Sequence, residues 1–293
     1  MKDLLKLVLC WIAFVVAIFA SGAITQILRL KAIQIPPGIS PQSMLVAQLL
    51  GGAVLVVGLY PIARGLAARP LLRFAVIAGF ILLALGVNGF IEARVFTHFV
   101  DGRMGSATVF YLVLAAALGS AVGFSFGAPG IRTGFAPHNL PGWLGRMAAA
   151  WLAWPVIYFF FGMSIAPIVV PYYKAGIAGL QLPSSMATIF EVQLVRSVIF
   201  LACSLPFVAL WKGSRRGLWL ALGMAHAFTV GLYGLVSAAF LPAILRIVHA
   251  VEMTCDSFAY AGLLVLLFGA VCEKTSASPA PAPIEHLSAH AAR

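Results

Sequence analysis

Residues 186–211 read MATIFEVQLVRSVIFLACSLPFVALW, an apolar run in which Glu191 and Arg196 are the only charged residues. A run of this length with so few charges is too long for a buried soluble strand, and at 1.5 Å per residue it crosses a hydrocarbon core of about 30 Å. With no water in that core to satisfy peptide groups, the segment must be a helix that makes its own hydrogen bonds. It also carries a carboxylate and a guanidinium. A charge at the centre of a bilayer costs about 2.5–3.5 kcal/mol on insertion scales, so it persists where a partner, water or a task compensates.

Seven further runs of the same kind surround it, giving eight spans at 5–24, 44–63, 71–91, 107–127, 147–170, 186–211, 218–240 and 251–272. The chain is 62% hydrophobic, 9% charged and has a mean hydropathy of +1.03, far from the roughly 45–50% apolar usage of soluble domains. The fold expected is an all-α, polytopic transmembrane bundle. Residues 1–272 form one transmembrane domain, and 273–293, rich in Ser, Ala and Pro, form a disordered tail. The first span, preceded by Lys2 and Lys6, has the layout of a signal peptide, but it is as long as the others and reads as a retained helix. Cys10, Cys203, Cys255 and Cys272 stand singly, without CxxC spacing, and read as packing residues.

Orientation follows from the basic residues. Of the 19 Lys and Arg, Arg29, Lys31, Arg94, Arg103, Lys174 and Arg246 fall in loops on one side, Arg196 lies within a span, and the other twelve fall on the side of the N-terminus. By the positive-inside rule both termini are cytoplasmic in a cell membrane. The same rule accounts for the formal charge of +11, so no nucleic-acid role is assigned. Trp143, Trp151 and Trp154 are expected at the inner interface of the fifth span and Tyr172 and Tyr173 at its outer one. Ala115, Gly119, Gly123 and Gly127 form a small-residue stripe that serves internal helix packing or, alternatively, a homodimer. Short basic loops join spans two to three and six to seven, as a four-plus-four duplication would require. The first half has no counterpart of Glu191, Arg196 or His226, so the chain is read without a repeat.

The ionisable residues of the spans converge under this topology. Glu191 lies about 8 Å and Arg196 about 15 Å below the outer end of span six, and His226 sits near mid-depth in span seven. His249 and Glu252 fall at the outer surface, with Asp256 just beneath. Glu92, closing span three, reaches the same side. On span eight, Arg246, His249, Glu252, Asp256 and Tyr260 recur every three or four residues and make one polar helical stripe. Glu92, Glu191, Arg196, His226, His249, Glu252 and Asp256 are therefore the candidate site, in an outward-facing polar cavity.

Three functions fit such a cavity. The carboxylates and histidines can bind a small polar solute, a cation or a proton, as intramembrane ionisable groups do in transporters. The histidines with a carboxylate can hold a divalent metal for hydrolysis, His249 and Glu252 lying three apart on one face. Or the polar groups lock helices of a noncatalytic assembly or sensor subunit. Glu191 and Arg196, then His226, then His249 also resemble in type and order the CPBP intramembrane proteases, with their Glu-Glu-x-x-x-Arg, Phe-x-x-x-His and His-x-x-x-Asn motifs on successive helices. Val192, Leu222 and Met253 depart from that pattern. The resemblance covers about residues 190–255 and implies a membrane-embedded hydrolase.

Overall fold

A computed structural model describes residues 1–31, 39–98, 102–131 and 139–274, with side chains to 269. Of the expected tail, residues 275–293 lie outside them. Among the described residues, eight helices are long and apolar enough to cross a membrane. They are α1 (Lys2–Ile27), α2 (Pro41–Gly65), α3 (Pro70–Phe96), α4 (Met104–Ser125), α5 (Leu140–Lys174), α6 (Met186–Leu210), α7 (Arg215–Ser237) and α8 (Ala243–Lys274). The chain is an integral membrane protein by this measure.

The starts are written locally. Ser40, Ser185 and Ser214 cap α2, α6 and α7 by accepting from the backbone N–H of Ser43, Thr188 and Gly217. Pro70 opens α3, where its missing N–H costs nothing. Two helices widen in mid-course into π turns, α3 at Ile81–Val87 and α7 at Ala227–Leu232, and these segments pack against each other. A π turn leaves local backbone groups out of the regular ladder and often marks a functional place.

The helices repeat a pattern, contrary to the sequence reading. α1 packs on α4 as α5 does on α8, α3 on α4 as α7 on α8, and α1 on α2 as α5 on α6; α2 then crosses to α7, and α3 to α6. The two short loops mirror each other. Ala67 N–H donates to the Leu210 carbonyl (2.9 Å) and Lys212 N–H to that of Gly65 (2.8 Å). Trp11 Nε1 donates to the Leu49 carbonyl, and Trp151 Nε1 to that of Leu194, each at 2.9 Å. On the register set by the loops, Gln48 matches Gln193, Pro61 matches Pro206, and Gly86 and Gly89 match Gly231 and Gly234. This is a parallel repeat of four helices. It escaped the sequence reading because Glu191, Arg196 and His226 match Val46, Gly51 and Ile81, so the halves differ at the residues that were compared.

The small-residue stripe of α4 serves helix packing within the chain at Gly119 and Gly123. A Cβ on Gly119 would sit 2.7 Å from that of Ala78, and one on Gly123 would sit 2.6 Å from the Phe74 nitrogen, so α3 fills this face. Gly127 lies against the Arg73 guanidinium. Gly119 and Gly123 are buried in the contact with α3, while Gly127 is exposed. The fifth helix also starts earlier than the span expected, at Leu140. Trp154 is thereby carried away from the helix end and buried, 6% exposed, instead of marking an interface.

Candidate functional site

Arg196 organises the site. It is 2% exposed and every nitrogen of its fork has an acceptor: Nε donates to Asn88 Oδ1 at 2.7 Å, Nη1 to Gln193 Oε1 at 3.2 Å, and Nη2 to Glu92 Oε2 at 3.4 Å. The planar guanidinium serves three directions at once, which an ammonium on a flexible stem does not. Asn88 follows the π turn of α3 directly, and Glu92 and Phe96 continue the same face at helical spacing. The rings of Trp154, Tyr158 and Phe200 stand 5.9, 5.8 and 5.7 Å from the guanidinium carbon, close enough for cation–π attraction.

The polar stripe of α8 turns inward as its spacing predicts. Glu252, Asp256 and Tyr260 are buried while Ile247 and Val251 face out. His249 Nδ1 lies 2.7 Å from Glu252 Oε2. In the neutral ring Nδ1–H then donates to the carboxylate, and Nε2 is left as an acceptor. Among the described residues, His249 Nε2 and Asp256 Oδ1 are buried without a hydrogen-bond partner. Burying such atoms unpaired costs about 1–3 kcal/mol each, more for a charge.

α5 supplies the wall. Pro155 cannot donate to the carbonyl four residues before it, that of Trp151, and Ser197 Oγ donates there instead at 2.6 Å. The proline thus ties α5 to α6 beside Arg196. The resulting cavity of about 60 Å³ is bounded by Glu92, Arg196, His249, Glu252 and Asp256, with Phe96, Trp154, Tyr158 and Tyr173 around them.

Five of the seven expected residues therefore share one cavity, and two do not. Glu191 is exposed on the far side of α6, consistent with its offset of about 140° from Arg196 around a helix. His226 is 3% exposed, hydrogen-bonded through Nε2 to Ser204 Oγ at 2.7 Å and set between the rings of Phe80 and Phe200. It is a satisfied core histidine. The arrangement implied by the protease resemblance, which needs Glu191, His226 and His249 together, is not assembled. Among the described residues no three His, Cys, Asp or Glu side chains are grouped to hold a metal ion.

Asn88 and the aromatic wall were missed in the sequence. Asn88 had a signal, an amide in an apolar run between Gly86 and Gly89. Tyr158 had none, since aromatic residues fill every span. No family model matches the chain, and no curated protein or solved structure matches it.

Proposed function

We propose that the protein binds a small positively charged solute in this cavity, with the proton as its competitor, as the substrate site of a transporter does. The observation that carries the reading is the charge of the lining. Three carboxylates, Glu92, Glu252 and Asp256, face one guanidinium and one imidazole, so with all carboxylates ionised the lining is negative even when His249 is protonated. Arg196 answers Glu92 and His249 answers Glu252, which leaves Asp256 as the residue that takes a cation or a proton. The surrounding rings favour an organic cation. The basic-loop asymmetry supports a cavity that faces outward.

The repeat argues against helix locking as the purpose of these groups. At the matching place in the first half, Gly51 stands for Arg196, and Phe14 and Tyr233 close the space with rings 6.0 Å apart. Among the described residues the same helix crossing is therefore packed there with no ion pair. A costly set of charges in one half only is explained by a task.

The test is binding of radiolabelled propylamine to the full-length protein in phosphatidylcholine nanodiscs. Asp256→Asn should weaken binding by at least about tenfold, which is about 1.4 kcal/mol. Binding by the parent should strengthen from pH 5 to pH 8 as proton competition falls, and the variant should lose that dependence. Equal binding by both proteins, each melting as one folded species, would sink the proposal.

A further inference from the structure

We infer that the cation is the head of an amphiphile, a protonated amine carried on a hydrocarbon tail; this rests on the cation reading above. Beside the polar cavity runs an apolar groove of about 390 Å³, within the size range of small-molecule sites. One wall is α5, with Met163, Ala166 and Val170, and the other is the start of α6 and the residues before it, with Leu182, Met186 and Ile189. Groove and cavity adjoin, with Phe96, Tyr158, Tyr173, His249 and Glu252 lining both.

The junction between them is made by Gly162. A Cβ there would stand 3.3 Å from Glu252 Oε1, so only the bare backbone of α5 lets the groove reach the carboxylate without narrowing. A purely apolar occupant would leave Glu252 and Asp256 facing hydrocarbon. A purely polar one would leave the groove unused. An amine on a long chain satisfies both, and a head with net positive charge separates it from the zwitterionic phospholipid of the bilayer.

The full-length protein in phosphatidylcholine nanodiscs is titrated with decylamine and propylamine, with empty nanodiscs as the partition control. Ala166→Trp on one wall and Ile189→Trp on the other should each weaken decylamine at least about tenfold and change propylamine less than about twofold, since a filled groove removes tail contacts and leaves the head site. Decanol should not compete. If propylamine shows no Asp256-dependent binding, the cation reading itself fails. If propylamine binds so, yet both folded groove variants take decylamine as the parent does, or decanol competes as well as decylamine, the amphiphile is overturned and the small cation stands.

Discussion

Arg196 and Asn88 lie on different helices and meet at 2.7 Å, so a double-mutant cycle between Arg196→Met and Asn88→Leu isolates the contact that joins α3 to α6. Neutral interhelical hydrogen bonds in membranes average about 0.6 kcal/mol and reach about 1.7. A guanidinium bonded to an amide inside a protein belongs to the charge-assisted class, worth about 1.5–3 kcal/mol. We expect a coupling energy near 1.5 kcal/mol, where the two ranges meet. Arg196→Met alone should cost about 3–5 kcal/mol, because it leaves Asn88, Gln193 and Glu92 facing an apolar chain. The side chain of Glu92 is 40% exposed, so its share is small. Arg196→Lys should recover only part, since one ammonium does not reach three acceptors in the plane of a fork. The assay is reversible unfolding in mixed micelles of dodecyl sulfate and a mild detergent, read by circular dichroism. A coupling energy below about 0.5 kcal/mol, or a cost for Arg196→Met below about 1 kcal/mol, would refute the view that this network holds the site together.

Gly123→Leu should destabilise by several kcal/mol, on the order of 3 or more, because its Cβ would meet the Phe74 backbone at 2.6 Å and backbone does not yield as a flexible side chain does; a variant that melts with the parent contradicts the α3–α4 contact. Trp11→Phe and Trp151→Phe each remove an indole donor to a matching carbonyl and should cost about 0.5–1.5 kcal/mol apiece; effects differing by more than about 1 kcal/mol in the same unfolding assay would speak against equivalent roles. Glu191→Gln should leave propylamine binding within about twofold of the parent, since surface substitutions away from a site act weakly; loss of binding would mean that the site extends to the exposed face of α6. His226→Phe should alter stability more than binding, as its ring serves the Ser204 hydrogen bond; binding lost in a variant of parental stability would return His226 to the site.

The parts of the fold that were legible in the sequence are those fixed by one-dimensional quantities. Eight apolar runs gave eight helices, because the bilayer sets span length and the need to satisfy every peptide group sets the conformation. The stripe on α8 was legible for the same reason, 3.6-residue periodicity being a property of one helix. Position along each helix was readable too, and it put Glu92, Arg196, His249, Glu252 and Asp256 toward the same end of the bundle. Rotation of each helix about its axis was not readable. Glu191 and His226 have depths compatible with the cavity, but α6 turns Glu191 out and α7 turns His226 into the packed core. Nor did the sequence reveal the π turns, which depend on neighbours accepting the widened backbone, or the groove, which exists only between α5 and the start of α6 with the residues before it.

The repeat gives the site a physical origin that its residues alone do not. Two matching four-helix units meet across α2–α7 and α3–α6, so each unit offers a crossing where the other's π-widened helix arrives. In the first crossing the space is closed, since a Cβ on Gly51 would already lie 2.3 Å from Ser237 Oγ and 3.2 Å from the Tyr233 carbonyl. In the second, the residue matching Gly51 is Arg196, whose long side chain reaches across to Asn88 and Glu92, and there α3 and α6 come less close than α2 and α7 do. A charged strut in place of a glycine contact opens room between helices that otherwise pack shut, and the polar stripe of α8 lines the room so made. Shortening the strut should therefore do more than remove a charge. Arg196→Ala is expected to let α3 settle toward α6 and shrink the cavity, while Arg196→Met keeps the length and loses the charge. If a cysteine at Glu92 reacts with a small charged maleimide equally fast in both backgrounds, the strut does not hold the cavity open.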